Sequence, residues 1–365
     1  MTIPATRFRQ GLVVGKFCPL HRGHMFLIQT ALARCDALLV ISYTNPEFDR
    51  CGPAARQAWL DELFPQVRSL VLDDAILARL CRERGLPQRR LPHNDADPAI
   101  QREFTAWVSW ALCDTRADAV FTSEAYGDGF AADLGAWYGA RLGAPAPVEH
   151  VCVDRQRLAV PVSGTAVRAQ PHLAYAYLHP AVRAHFIERV CLLGGESSGK
   201  TTLAASLAAR LGTCWAPEVG RERWDAQGGK LGYEDMLSIG QGQVAREDLL
   251  AREAKRWLIC DGSALTSLFY SLDGFGRADA ALEVLARRPY AVTFVCAPDI
   301  PFIQDGTRRD AAFRAHQHRW YLAAFERLGM PYVLLEGALE QRLAKAHAVL
   351  TVGALDDQAC AAYGG

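Results

Sequence analysis

Residues able to handle phosphate cluster at three places in this 365-residue chain. The densest runs from Gly194 to Thr202, Gly-Gly-Glu-Ser-Ser-Gly-Lys-Thr-Thr. Gly194, Gly199, Lys200 and Thr201 fill the spacing of a phosphate-binding loop,. Glycine allows a backbone to curl its N–H groups around phosphate oxygens, and a helix N-terminus adds a favourable dipole. Gly194, Gly195, Glu196, Ser197, Ser198 and Gly199 would form that cradle, with Thr202 carrying the chain onward. Lys200 would reach the β- and γ-phosphates of a nucleoside triphosphate, and the Thr201 hydroxyl would ligate Mg²⁺,. Asp261 ends the apolar run Trp257-Leu-Ile-Cys, where a carboxylate would hold the Mg²⁺ shell or take a hydroxyl proton; the alternative is a cap on the next helix,.

The other two stretches lie upstream. His21-Arg-Gly-His24 places two imidazoles three residues apart, and Gly23 permits close backbone approach,. They could donate N–H groups to a phosphate chain under attack, or hold a metal, although no nearby carboxylate or third histidine completes a ligand set,. Pro161-Val-Ser-Gly-Thr-Ala-Val-Arg168 offers the hydroxyls of Ser163 and Thr165 at a helix start, and Arg168 supplies a guanidinium fork suited to phosphate,.

The elements that must position these groups read as alternating strands and helices. In the first half, strands are expected at 12–14, 37–42, 69–72, 119–122 and 148–153, with helices at 25–34, 54–63, 100–112 and 130–142,. The segment 81–97, charged and proline-bearing, reads as an extended loop or flap, and 170–188 as a partly structured connector,. In the second half, strands are expected at 190–193, 257–261, 291–296 and 331–335, with helices at 203–211 and 233–256. This alternation implies parallel sheets in two α/β domains, a Rossmann-like one over 1–187 and a phosphate-loop one over 188–365,. Ligands are then expected beyond the strand C-termini.

The charge balance, 40 basic against 40 acidic residues, gives no global field to recruit nucleic acid or membrane,. Eleven cysteines without a Cys-x-x-Cys pair point to free thiols in a reducing cytoplasm rather than a disulfide framework or zinc site,. Signal-peptide and membrane-span patterns are lacking, so a cytoplasmic protein is expected, possible homo-oligomer included,.

The upstream stretches resemble the two signatures of nucleotidyltransferases, and the order of all the pieces resembles the NadR-type bifunctional enzymes, nicotinamide-nucleotide adenylyltransferase followed by ribosylnicotinamide kinase. The resemblance rests on Gly15-Lys-Phe17 with the histidine pair, Thr122-Ser-Glu-Ala-Tyr-Gly127, Val162-Ser-Gly-Thr165 and Gly194-Gly-Glu-Ser-Ser-Gly-Lys200. It implies that ATP, nicotinamide riboside, nicotinamide mononucleotide and NAD are the partners, with Mg²⁺ as the metal. It implies that Gly15, Lys16, Phe17, His21, His24, Ser163, Thr165 and Arg168 grip one ATP. Asp305, Arg308 and Arg309, in a segment similar to the family's Asp-Gly-x-Arg, become candidates for a lid over the other.

Two departures bear on this. Ala166 stands where the family often has lysine, which removes a cation and leaves open a weakly active, nucleotide-sensing first domain. Ser263 stands where related kinases often have a second acid, so Glu218 or Glu222 is the alternative carboxylate. The helix-turn-helix head of some relatives is not expected, and with it no operator binding. A coenzyme A-type adenylyltransferase/kinase fusion is the rival assignment. Trp107, Trp110, Trp224 and Tyr233 are candidate stacking partners for a base ring, or core residues.

Overall fold

The computed structural model describes residues 7–124, 126–169, 175–306 and 308–362. The chain divides into two compact units, Met1–His185 and Phe186–Gly365. Each is a five-stranded, wholly parallel sheet between helices, the α/β architecture that the alternation predicts.

The first unit runs β1 (Phe8–Val14), α1 (Arg22–Arg34), β2 (Cys35–Tyr43), α2 (Pro53–Leu63), β3 (Arg68–Leu72), α3 (Asp74–Glu83), α4 (Pro98–Trp107), β4 (Ala119–Thr122), α5 (Gly127–Leu142), β5 (Glu149–Cys152), α6 (Gly164–Ala169) and α7 (Pro180–Arg183). The sheet order is β3-β2-β1-β4-β5, so direction reverses beside β1 and opens a crevice at its C-terminal end,. Leu12, Ile41, Leu72 and Val120 from the strands pack with Phe104 and Leu134 from the helices into one core.

Three sequence expectations change here. β1 begins at Phe8, four residues before the expected start, because polar Arg9 and Gln10 hide the pattern and Gly11 reads as a breaker. Gly11 is instead required by packing: a Cβ there would lie 2.5 Å from the Cys35 sulfur. Residues 74–83 form a helix, capped by the Asp73 carboxylate on the Ile76 N–H at 2.6 Å, so only the later part of the expected flap is loop,. The tryptophan-rich helix ends at Trp107 and continues as a wider π-helical turn over Val108–Leu112. Pro171, in the expected connector, lies outside the described residues, as do Ala125 and Thr307.

The second unit runs β6 (Glu188–Gly194), α8 (Lys200–Leu211), β7 (Trp215–Ala216), α9 (Val219–Ala226), α10 (Tyr233–Leu250), β8 (Trp257–Asp261), α11 (Ala264–Phe275), α12 (Ala280–Ala286), β9 (Val292–Cys296), α13 (Ala311–Leu328), β10 (Val333–Leu335) and α14 (Leu339–Ala362). The order is β10-β9-β6-β8-β7. Both faces of β6 are buried, which explains its unbroken apolar run. Val190 and Leu192 face Leu203 and Leu207 of α8 and Ala346 of α14; Cys191 and Leu193 face Ile239 of α10, Leu265 of α11 and Phe325 of α13. The helix expected to run to Arg256 stops at Leu250, where the chain turns back and the Lys255 N–H bonds Thr213 Oγ1 at 3.0 Å. Among the described residues, no helix is long and apolar enough to cross a membrane.

An ion pair with a buried arginine ties the first crevice to its scaffold. The Arg56 guanidinium, fully buried in α2, donates to both oxygens of Glu47 (2.7 and 2.8 Å), to Ser42 Oγ (2.8 Å) and to the Cys51 carbonyl (2.9 Å). Ser42 in turn donates to the Lys16 carbonyl at 3.1 Å, fixing the loop after β1. Arg56→Met is expected to lower stability by about 1–2 kcal/mol, because it removes the four donated hydrogen bonds while Glu47 keeps Thr44 and Ser42 keeps the Lys16 carbonyl; urea unfolding measures it,.

Candidate active sites

The first cavity, of about 540 Å³, opens beyond the C-terminal end of β1 and β4. Gly15, Lys16, Phe17, His21, His24, Ser163, Thr165 and Arg168, all singled out from sequence, line it together. The local geometry explains their spacing. The Gly15 N–H continues the ladder by bonding the Ile41 carbonyl at 3.1 Å, and a Cβ at Gly15 would meet the Phe17 ring at 2.8 Å. Phe17 takes φ 50°, turning the chain sharply away from the strand,.

His21 caps α1 through its ring. His21 Nδ1 accepts from the His24 N–H at 3.3 Å, and His24 Nδ1 accepts from the His21 N–H at 3.4 Å. The two rings stack with centroids 3.6 Å apart and planes 17° apart, and Phe17 meets His24 edge-on at 5.0 Å. Because each Nδ1 faces a backbone donor, the proton of each neutral ring belongs on Nε2. Among the described residues no group of three His, Cys, Asp or Glu side chains could hold a metal, here or elsewhere.

Arg168, on α6, donates to the Cys18 carbonyl at 2.7 Å and to Thr165 Oγ1 at 3.2 Å, and lies 4.3 Å over the Phe48 ring. Ser163 Oγ accepts from the Ala166 N–H at 3.1 Å. Arg157 was not legible from sequence: it sits in an irregular turn and matches no motif. Its guanidinium lines the cavity, donating to the Val162 carbonyl (3.1 Å) and to Glu124 (3.0 Å). Burial pushes the His21 imidazole down to about 4, helped by the positive field of Arg157 and Arg168. His24 falls well below its usual range, through burial and then its neighbour His21. Both rings are therefore neutral donors at pH 7 in a cationic pocket.

The second cavity, about 300 Å³, is lined by Glu196, Ser197, Ser198, Gly199, Lys200, Thr201 and Thr202, with Glu218 and Arg308. Gly194 and Gly195 sit behind it and are fixed by crowding: a Cβ would lie 2.7 Å from the Cys296 carbonyl in the first case and 2.6 Å from the Arg314 carbonyl in the second. Gly199 takes φ 79° as α8 begins,. Lys200 Nζ rests on the Gly194 and Gly195 carbonyls at 2.9 and 3.0 Å. Thr201 donates to Asp261 Oδ2 at 2.6 Å, while the buried Asp261 Oδ1 has no partner among the described residues. Asp261 does not cap the next helix; Ser263 does, accepting from the Leu265 N–H at 3.2 Å.

Burial raises the Asp261 and Glu218 carboxyls, with Lys200 opposing the shift in both cases. Glu218 stands beside Gly262 at the cavity, whereas Glu222 faces away and is held in a fork by Arg246 at 2.6 and 2.7 Å. That separates the two alternative carboxylates. Arg308 donates to Ser197 Oγ (3.2 Å) and the Ile303 carbonyl (2.6 Å) and pairs with Asp305, which also pairs with Arg221. Arg309 reaches Asp273 at 3.1 Å. Of the four aromatic candidates, Trp224 lines the second cavity; Trp107 and Trp110 pack on the first core, and Tyr233 packs on Phe275 under Arg277. Gln317 and Tyr270 complete this lining through contacts with Glu196 at 2.9 Å each, which no local sequence signal announces.

Residues 189–342 match the AAA domain family. The trifunctional NAD biosynthesis/regulator protein NadR of Salmonella typhimurium is 26% identical over 323 residues, and that of Escherichia coli 27% over 325 residues; each alignment covers 84% of this chain and 73% of the relative. The crystal structures of NadR protein in complex with NR, and with NAD and AMP-PNP, share the fold with TM-scores of 0.66 and 0.63. Both cover 92% of this chain, and 91% and 93% of theirs, at 19% identity.

The depressed histidines make stability depend on pH with a definite sign. A folded pKa of about 4 for His21, below the usual 6.5, means that the unfolded chain binds more protons between these values,. The stabilisation is complete above pH 6.5 and is lost progressively as pH falls toward 4, by about 3 kcal/mol for His21,. Urea unfolding across pH 4–7 is expected to show this slope, and the double variant His21→Gln, His24→Gln is expected to flatten it.

Proposed function

We propose that this chain makes NAD in two ATP-dependent steps, with one step in each unit. The likeness to NadR proteins along most of the chain supports the reading, and one observation carries it: two separate cavities, built by different loops and lined by the candidate phosphate-binding residues, each beyond the strand C-termini of its own sheet. In the second unit, the 5′-oxygen of nicotinamide riboside attacks the γ-phosphorus of ATP and ADP leaves. The loop N–H groups and Lys200 hold the phosphates, and Arg308 is placed to approach them from the facing segment. Glu218 takes the hydroxyl proton, a role for which a carboxyl raised by burial is suited,.

The Thr201 hydroxyl and Asp261 Oδ1, which has no partner among the described residues, form a hard-oxygen pair that fits Mg²⁺,. When bound there, the ion would offset charge on the β- and γ-phosphates.

In the first unit, a phosphate oxygen of nicotinamide mononucleotide attacks the α-phosphorus of ATP, NAD forms and pyrophosphate leaves. No proton need move, so the work is positioning and charge stabilisation. The Nε2–H groups of His21 and His24 donate to phosphate oxygens, with Arg168, Lys16 and the hydroxyls of Ser163 and Thr165 around them.

Separate assays test the division. Lys200→Ala is expected to lower riboside phosphorylation about a hundredfold or more and leave adenylyl transfer intact, and His24→Ala the reverse. Glu218→Gln is expected to lower kcat of phosphorylation by about a hundredfold with little change in ATP binding. Loss of both activities in a folded Lys200→Ala protein would contradict the two-site reading.

A further inference from the structure

Outside the two phosphate cradles, one polar chain has no part in the chemistry so far described. His150, in β5, is almost wholly buried, its side chain only 8% exposed. Its Nδ1 lies 2.8 Å from Asp128 Oδ1, at the start of α5, and its Nε2 lies 2.9 Å from Thr122 Oγ1, at the end of β4. A carboxylate only accepts, so Nδ1 carries the proton and Nε2 of the neutral ring is an acceptor; the single Thr122 hydroxyl proton is shared between Nε2 and the Glu124 carbonyl, 3.1 Å away,. The Thr122 oxygen then has lone pairs free for the Glu124 N–H, which reaches it at 3.3 Å.

The backbone is shaped around this ring. Gly127 begins α5 directly against the imidazole, and a Cβ there would lie 1.9 Å from His150 Nε2. No side chain other than hydrogen permits the contact. Glycine at this place therefore serves the histidine rather than a turn.

The chain leads to the first cavity. Thr122, Ser123, Glu124 and Tyr126 form one of its walls. Glu124 in turn holds Arg157 at 3.0 Å, and Arg157, like Arg168, is a cation whose field reaches both His21 and His24. We infer that His150 is a positioning residue for the nucleotide site of the first unit: bonded between Asp128 and Thr122, it fixes the wall formed by Thr122, Ser123 and Glu124 and, through Glu124, the Arg157 guanidinium. It touches no substrate. Its effect lies in the geometry of the pocket, so it belongs to binding more than to the rate of the chemical step.

This inference rests on adenylyl transfer being the activity of the first unit. The experiment measures KM and kcat for ATP and for nicotinamide mononucleotide in the full chain, with riboside phosphorylation as the control for a folded protein. His150→Ala is expected to raise KM for at least one of the two nucleotides about tenfold, the scale of one lost hydrogen bond, with kcat within about threefold of wild type. His150→Gln, whose amide oxygen can accept the Thr122 hydroxyl proton, is expected to recover most of the loss. Thr122→Val, which keeps shape and removes the hydroxyl, is expected to repeat the His150→Ala effect. Should His150→Ala fail to fold, Thr122→Val decides the matter. Wild-type KM in a folded His150→Ala or Thr122→Val protein, or equal loss in His150→Ala and His150→Gln, overturns the inference. A wild-type chain without adenylyl transfer would instead overturn the reading on which it rests.

Discussion

The second site depends on how closely a bare backbone can approach its surroundings. Gly194 and Gly195 press against the carbonyls of Cys296 and Arg314, leaving no room for even a methyl group. That contact brings the loop against β9 and α13. Everything else there is arranged on this closeness: Lys200 folds back on the two glycine carbonyls, Arg314 bonds the Ile300 carbonyl at 2.8 Å, and Arg342 holds the Ser198 carbonyl at 2.7 Å. Two buried arginines on two helices thus hold the loop from outside, and neither points into the cavity.

The first site uses a different constraint. Its donors are side chains, and their aim is set by a helix cap in which two imidazoles serve as each other's backbone acceptors. Burial then keeps both rings neutral while three cations, Lys16, Arg157 and Arg168, carry the charge around them. In the proposed adenylyl transfer, neutral donors at the centre and fixed charges at the rim would let the pocket admit one anion and release another.

What could be read from sequence follows from the range over which each signal acts. The phosphate loop is contiguous, and its glycines, lysine and threonine must lie at fixed spacing, so Gly194 to Thr202 was legible in full. The buried strands were legible because both faces of the sheet are covered and their apolar runs are unbroken. Residues that reach a site from a distant element left no such trace. Arg157 comes from an irregular turn, Gln317 from the middle of α13, and His150 from a strand position that reads only as alternation. The false end at Arg256 and the late start at Leu12 have a shared origin: local pattern ignores the tertiary contact that stops α10 and admits Gly11.

Ala166 illustrates how position and function separate. By pattern, it removes a cation from the first site. In the structure residue 166 is exposed, and its N–H is taken by Ser163 Oγ at 3.1 Å, capping α6. Arg157 meanwhile enters the same cavity from the preceding turn, fixed by Glu124 and the Val162 carbonyl. Electrostatic stabilisation of a polyphosphate requires charge within a few ångströms of the right oxygens and is indifferent to which loop supplies it. A cation missing from a motif is therefore weak evidence of a failing site when another is anchored in the same pocket, and the salt bridge that anchors it is the feature to examine first.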